Sequence, residues 1–523
     1  MRLANARQFF CGGGGATFLW PRWLILRAVG IVYVLIFAGI IVQGGPLIGP
    51  NGIAPIADFA AAQAKLYPNA LEAFLRAPGL FWLGAGPGLI ALWEWAGLAA
   101  AVALILNLWP RLALFACWLI FLSFITADGG HFFAITQPDQ LMLETALLGL
   151  AFAPAGLRPG LGASSPPRPI ALFAMRWFLF RVMFEAGLSK FVYGGPRWRN
   201  LTAMDVMYEN APLPTILGYL DHQLPHFYHV AEIGFTFMAE IAAPLLALFG
   251  SRRWRWFAFV VWAAFQAGIE LTNNFGWLNV ASIVLGLLLI DDQMLGALAI
   301  RLGVRRRAPA VPGAQESETA RATAPWARWG LRIALGTQFC VTLYFLILSC
   351  GLPAKAMPGA ISRPVNLLFG GLRSANAYFL FSNLQAIRYD IEFEGSNDGG
   401  ETWRSYAFRY QPQRVDRMPP FVAPWYTRFE STLQNTIVTG PQSTLFPAVA
   451  ANLLERNPGV MGLFAGDPFA DRPPTMIRMA IYRLNFTSWR EHRATGDFWR
   501  KEYEGDYMPM LYRSGGGQVM GGE

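Results

Sequence analysis

The feature that most constrains this chain is a succession of nine apolar segments, each near the length that crosses a bilayer. They run at Trp23 to Val42, Pro87 to Trp109, Leu112 to Ala127, Leu141 to Ala155, Ile170 to Ala186, Tyr228 to Phe249, Trp254 to Leu271, Trp277 to Ile290 and Leu331 to Leu348. A hydrocarbon layer about 30 Å thick takes roughly 20 helical residues, and within it only helices and closed barrels satisfy every backbone group. The expected fold class is a polytopic α-helical membrane protein of about nine spans. The third, fourth and eighth segments are short and also fit re-entrant or partly buried helices. Composition agrees, with 54% of residues apolar or aromatic and 14% charged, against roughly 25% charged in soluble proteins. Such a chain is too apolar to be disordered. Trp23 to Val42 exceeds a signal-peptide core and reads as a signal anchor.

The net charge of +9 is gathered beside the apolar segments, which sets orientation and does not build a nucleic-acid face. Basic clusters fall in alternate connections: Arg2, Arg7 and Arg22; Arg111; Arg158 and Arg168; Arg252, Arg253 and Arg255; then Arg301 to Arg328. By the positive-inside rule the N-terminus is cytosolic and everything after Leu348 is outside. The expected organisation is a helical membrane domain at 1–300, a cytosolic basic linker at 301–326, a last transmembrane helix at 327–349, an extracytoplasmic soluble domain at 350–514 and a flexible Gly-rich tail at 515–523.

Charge inside a span is costly and marks function. Arg176, Arg181, Glu185 and Lys190 lie on or just beyond one segment, and Arg181 and Glu185, four apart, pair on one helix face. Lys190 precedes the turn Gly194-Gly195-Pro196 and is expected to snorkel to the outer interface. Glu94, Glu144, Glu232, Glu240 and Glu270 are the other intramembrane polar candidates. Glu232 and Glu240 are eight apart, hence on one face, and a chain of such groups would suit a transporter. His222, His226 and His229 are close in sequence but lack an acidic ligand in register, and Cys11, Cys117, Cys340 and Cys350 form no CxxC pair. Neither a metal site nor a cofactor is expected.

Beyond Cys350 the character changes: residues 351–523 hold 18 basic and 16 acidic residues. Ile387, Tyr389, Ile391 and Phe393 alternate with polar residues, which predicts a strand. Asn397-Asp398-Gly399-Gly400 supplies a turn, and Trp403 to Tyr410 is expected to return as a second strand. Ser396, Asp398, Gly400, Thr402 and Trp403 fit the S-x-D-x-G-x-T-W Asp-box, a structural hairpin device present here once. Ala448 to Glu455 and Gly462 to Phe464 read as helical, and Arg478 to Phe486 as a strand. The region is expected to be β-rich, α+β or sandwich-like.

The strings GGLRSANAYFLF, EFEGSNDGGETWRSYAFRYQP, PPFVAPW, GDPFADRPPTMIRMAIYRLNFT and GDFWRKEYEGDYMP resemble the lipase maturation factor family. So do RWFLFRVMFEAGLSKF, WRNLTAMDVMYENAPLP, LPHFYHVAEIGFTFMAEIAAP and TNNFGWLNVASIVLGLLLIDD. They cover most of the chain from about residue 170 to 510, in order. One departure follows Trp425, where Arg428-Phe429-Glu430-Ser431 runs into polar TLQNT and the family pattern is rich in tryptophan.

The resemblance implies a membrane protein that helps secreted lipases reach their active state and performs no chemistry of its own. Its partners would be membrane lipids and a secreted lipase client. Phe421, Trp425, Tyr426, Arg428, Phe498, Trp499 and Arg500 are the expected client contacts, because Trp, Tyr and Arg dominate binding hot spots. The competing reading is a membrane enzyme: AGLSKF followed by Trp198 is similar, over that stretch alone, to vitamin K-dependent γ-glutamyl carboxylase, which implies Lys190 as a catalytic base aided by Arg181 and Glu185. Richness in Ala, Gly, Pro and Arg favours a bacterial inner membrane, with the endoplasmic reticulum as the eukaryotic equivalent.

Overall fold

The computed structural model describes residue 9 and residues 17–57, 59–129, 131–132, 137–304, 325–351, 359–439, 443–513 and 519–521. Most of the basic linker lies outside the described residues, as does the tail apart from 519–521.

All nine apolar segments are helical. They form α1 (Leu19–Ile48), α2 (Pro87–Ile105), α3 (Pro110–Ala127), α4 (Gln137–Phe152), α5 (Pro169–Val192), α6 (His226–Phe249), α7 (Arg252–Asn273), α8 (Trp277–Leu289) and α9 (Pro325–Ser349). Five of them, α1, α2, α3, α6 and α9, are long and apolar enough to cross a membrane, and a sixth span results if α8 and the helix Asp292–Arg301 count as one broken at a 102° bend. Among the described residues, length and apolarity thus support five or six of the expected nine spans. The reasons are local. α4 has only 16 residues, α5 carries four internal charges, and α7 opens on Arg252, Arg253 and Arg255. Each of these helices packs against neighbours in the bundle, α4 on α3 and α5, α5 on α9 and α6, and α7 on α6 and α8. The packing is tight enough that a Cβ on Gly97 of α2 would lie 2.3 Å from the Phe37 ring of α1.

The C-terminal region holds one antiparallel six-stranded sheet and two main helices. The strands are β1 (Arg388–Ser396), β2 (Arg404–Ser405), β3 (Met476–Phe486), β4 (Trp499–Asp506), β5 (Leu511–Arg513) and β6 (Val519–Gly521). Their order is β2-β1-β3-β5-β6, with β4 sharing the β5 edge of β3. The helices are α10 (Arg428–Thr439) and α11 (Leu445–Leu454). The arrangement is α+β and not a sandwich. β6 shows that part of the tail expected to be flexible is paired.

The second strand is shorter than expected because its continuation gives its amides elsewhere. The Phe408 amide donates to Gln413, and those of Arg409, Tyr410 and Gln411 donate to the Glu430 carboxylate at 2.9, 2.8 and 2.6 Å. The Asp-box hairpin itself forms. Asp398 Oδ1 accepts from Ser396 Oγ at 2.7 Å and from the Thr402 amide at 3.0 Å, its other oxygen accepts from the Thr402 hydroxyl, and Arg478 lies 4.4 Å over the half-buried Trp403 ring.

The expectation of a separate soluble domain needs correction. One continuous apolar core contains Phe37, Phe121 and Trp277 of the bundle together with Tyr426, Phe429 and Phe446 of the C-terminal region. Polar contacts reinforce it. Arg428 binds Asp139 bidentately at 2.7 and 2.9 Å, and Gln43 of α1 accepts from the Phe429 amide at 3.2 Å. The Asn274 side chain donates to the Pro420 carbonyl and accepts from the Val422 and Ala423 amides. The polar composition of this region therefore does not mark a free surface throughout, since Arg388, Asp390, Glu392, Glu394, Arg428 and Glu430 are all buried. α10 buries Arg428, Glu430, Thr432, Gln434 and Thr436 although it is polar in composition.

Candidate functional site

The buried charges of α5 fall into two separate centres, and helix geometry explains why. A helix turns roughly 100° per residue, so residues four apart share a face and residues nine apart point to opposite sides. Arg181 and Glu185 therefore face one centre and Lys190 another.

At the first centre Arg181 reaches Glu144 of α4 in a close charge-assisted contact, donates to the Asn376 carbonyl at 2.7 Å, and lies 3.8 Å from Glu185. Glu144 also accepts from Gln338 at 3.0 Å, Asn376 at 3.1 Å and the Tyr378 hydroxyl at 2.9 Å. Glu185 accepts from the Tyr378 amide at 3.0 Å. The expected Arg181–Glu185 pair exists, but the nearer carboxylate is Glu144. Asn376 and Tyr378 belong to the segment after the last span, which turns back into the bundle to the level of Gln338, midway along α9. The string GGLRSANAYFLF, read as a family signature, is thus the piece that closes the bundle's charged interior.

At the second centre Lys190 is 2% exposed and donates to both Glu240 oxygens at 2.9 and 2.7 Å, to the Leu380 carbonyl at 2.9 Å and to the Ala186 carbonyl at 3.2 Å. Its ammonium stands 5.2 Å from the Trp198 ring, whose N–H donates to the Phe381 carbonyl. The expected snorkelling position is therefore wrong: an acidic partner inside the bundle removes the reason to reach for water. Glu240 comes within range because Met238–Ala242 forms a π-helical turn within α6, a distortion frequent at functional positions. Gly187 permits the approach, since a Cβ there would lie 2.9 Å from that of Glu240.

Lys190, Glu240 and Glu232 all line one cavity of about 400 Å³ between α6, α7 and the Trp198 to Tyr208 segment. In it Tyr208 donates to Glu232 at 2.5 Å and His229 pairs with Glu232 at 2.8 Å.

The remaining candidates stand apart. Arg176 donates to the Leu288 carbonyl at 2.8 Å and to that of Phe9, and stacks over Phe18, a packing arrangement at the far end of α5. Glu94 is buried against Gly44, and Glu270 accepts from Asn279 at 2.9 Å. The histidines separate: His226 pairs with Asp205, His229 with Glu232, and His222 packs on Phe486. Burial pushes His222 down to about 4. No group of three potential metal ligands occurs among the described residues.

Three of the expected client contacts are internal. Tyr426 packs on Trp277, Arg428 is 1% exposed on Asp139, and Trp499 lies against Phe486. Aromatic and guanidinium groups served as anchors between the two halves of this chain, which sequence alone did not distinguish from anchors for a partner. Phe421 is 52% exposed, Arg500 is exposed, and Trp425 and Phe498 are half-buried.

Two family profiles match: a lipase maturation factor transmembrane domain over residues 20–297 and a lipase maturation factor C-terminal domain over residues 374–509. The latter begins where the re-entrant segment meets Gln338. The chain is 28% identical to Lipase maturation factor 1 of Bos taurus, with 95% of this chain and 90% of that one covered. It is 27% identical to its human counterpart (95% and 88%) and 27% identical to Lipase maturation factor 2 of Rattus norvegicus (94% and 83%). No solved structure matches. Both halves of the molecule, membrane bundle and docked C-terminal region, are thus accounted for by one lineage, and the chain belongs to the lipase maturation factor family.

Proposed function

We propose that this protein is a membrane-anchored maturation factor for secreted lipases, presenting its C-terminal region to the client on the extracytoplasmic face. The observation that carries this reading is the unbroken similarity to Lipase maturation factors 1 and 2, which spans the bundle and the C-terminal region together. The arrangement of basic clusters supports an exoplasmic C-terminal region, where secreted enzymes fold. Phe421 and Arg500, with Trp425 and Phe498 beside them in the chain, remain available for a client. Lys190, with its ammonium committed to Glu240 and two carbonyls, serves as a bundle fastening and not as a base.

Deleting the gene is expected to lower the activity of at least one secreted lipase while its synthesis continues, and a crosslinker placed at Phe421 or Arg500 is expected to capture that enzyme. Unchanged lipase activity together with no captured lipase refutes the reading. For the orientation, a periplasm-active reporter fused after Gly351 is expected to be active and one fused near Val311 inactive, and the reverse pattern overturns it.

A further inference from the structure

The cavity beside Lys190 has an acceptor surplus that the protein does not balance. Lys190 is committed to Glu240, Leu380 and Ala186, which leaves Asp221 and Glu232 as the other charged groups of the lining. The Tyr208 hydroxyl donates to Glu232 at 2.5 Å, and the Asp221 carboxylate stands close enough to oppose ionisation of that hydroxyl. A phenol has one hydrogen to give, and here it goes to Glu232, so Asp221 receives none from it. His229 contacts only the other Glu232 oxygen. Asn273, buried on the same wall, has its side-chain oxygen without a partner. Tyr228, 41% exposed, adds an aromatic face of the kind that attracts cations.

The shape of the cavity says where an occupant would come from. Along α6 it extends from Tyr228 to Glu240, roughly 18 Å of helix reaching the middle of a membrane-capable segment. Its side toward α7 is built from small exposed residues, Ala231, Ala264 and Gly268, and nothing stands within 4 Å of where a Gly268 Cβ would be. Next to the lining residues Asp221 and Tyr228, the side chains of Leu217, Leu220, Leu224 and Phe227 are exposed, Phe227 to 76%. Contiguous apolar exposure of this kind marks contact with lipid or with a partner, and here it continues onto a membrane helix.

We propose that this cavity binds a phospholipid with a primary ammonium headgroup, entering sideways from the bilayer between α6 and α7. Asp221, Glu232 and the Asn273 oxygen accept the three N–H groups, and an acyl chain lies in the slot floored by Ala231, Ala264 and Gly268. An anionic headgroup is disfavoured by the same carboxylates. A choline headgroup matches the charge and the Tyr228 ring but has no N–H to donate.

The test uses the full chain, purified and delipidated, with native mass spectrometry counting retained phospholipid. Ethanolamine, choline and glycerol headgroups are compared on identical acyl chains. One ethanolamine phospholipid per chain is expected, retained about tenfold or more over the other two, the scale of hydrogen bonds to a charged group. Asp221→Asn and Glu232→Gln are expected to erase that preference while leaving weak retention, and Gly268→Phe to abolish retention of all three. Asp221→Asn is half-buried and nearly isosteric, so it reads out the headgroup even if the other variants fold poorly. Equal retention of the three lipids, an unchanged preference in Asp221→Asn, or binding of free ethanolamine or an oligolysine peptide without the phospholipid overturns the proposal.

Discussion

Replacing Asp139 by alanine tests whether the C-terminal region is an integral part of the bundle. The carboxylate receives two charge-assisted hydrogen bonds from Arg428, at 2.7 and 2.9 Å, and both side chains are 1% exposed. In Asp139→Ala the guanidinium keeps the Phe132 carbonyl at 3.3 Å and the faces of Phe121, Trp277 and Tyr426 between 5.3 and 5.9 Å away. None of these supplies the lost counter-charge. Removing one partner of a buried pair costs about 3–5 kcal/mol, which is two to three and a half powers of ten in an equilibrium at roughly 1.4 kcal/mol per decade. That is a large share of a domain's typical margin of about 5–15 kcal/mol. The assay is thermal unfolding of the full chain in detergent, with hydrogen exchange of the α10 amides as the local probe. Lower membrane abundance, a lower Tm and faster exchange in α10 are expected. The pair Asp139→Leu with Arg428→Met is expected to recover most of the loss, because two matched apolar side chains leave no buried charge. A change below about 1 kcal/mol in Asp139→Ala, or a double variant no better than the single one, refutes the reasoning.

Three further outcomes follow from the same geometry. Lys190→Ala strands the Glu240 carboxylate and is expected to lower abundance at a cost of about 3–5 kcal/mol, with Lys190→Met plus Glu240→Leu restoring it; an abundant but inactive Lys190→Ala protein, seen by immunoblot and lipase output, argues for chemistry at the lysine. Burial raises Glu430 from an ordinary 4.5 to about 7, so the folded chain holds a proton that the unfolded chain releases. Its contribution is fully present below about pH 4.5 and is lost as pH rises through 7, and Glu430→Gln is expected to flatten the Tm profile over that window; an unchanged slope counts against it. Asp398 is held below the usual carboxylate range by the Thr402 and Ser396 hydroxyls and the Thr402 amide. Its stabilisation is present above the ordinary value and lost as pH falls toward the depressed one, so Asp398→Asn is expected to speed Thr402 amide exchange at neutral pH and to match the parent in strong acid.

What the sequence made legible was local. Apolar runs located all nine helices, the Asp-box located its hairpin, and a four-residue spacing placed Arg181 near Glu185. Whether a helix crosses the membrane depends on what covers it, so α4 and α5, buried among neighbours, resemble spans in sequence without being long or apolar enough to stand alone. Partners distant in sequence leave no spacing to read. Glu144 and Glu240 were visible as polar residues in apolar segments, but nothing in the chain tied them to Arg181 and Lys190. Arg428 and Trp499 were read as surface contacts because their chemistry suits interfaces, and the interface they serve is internal. The polar stretch after Trp425 gives no sign of the buried helix α10, because composition does not reveal that Glu430 sits among three backbone amides.

The re-entrant segment also fixes an order of assembly. Arg181 and Glu144 are translated 195 and 234 residues before Asn376 and Tyr378, the groups that complete their hydrogen bonding. At about 5–20 residues per second the interval for Arg181 is roughly 10–40 s, during which α4 and α5 have each other but not the segment that seals them. Insertion of this protein is therefore a two-step event, with an early bundle that must be tolerated by the membrane while incomplete and a final closure set by synthesis of the chain beyond α9. A chain stopped just after the last helix would possess every apolar segment and still leave Glu144, Glu185 and Lys190 each short of a ligand, making it a substrate for membrane quality control.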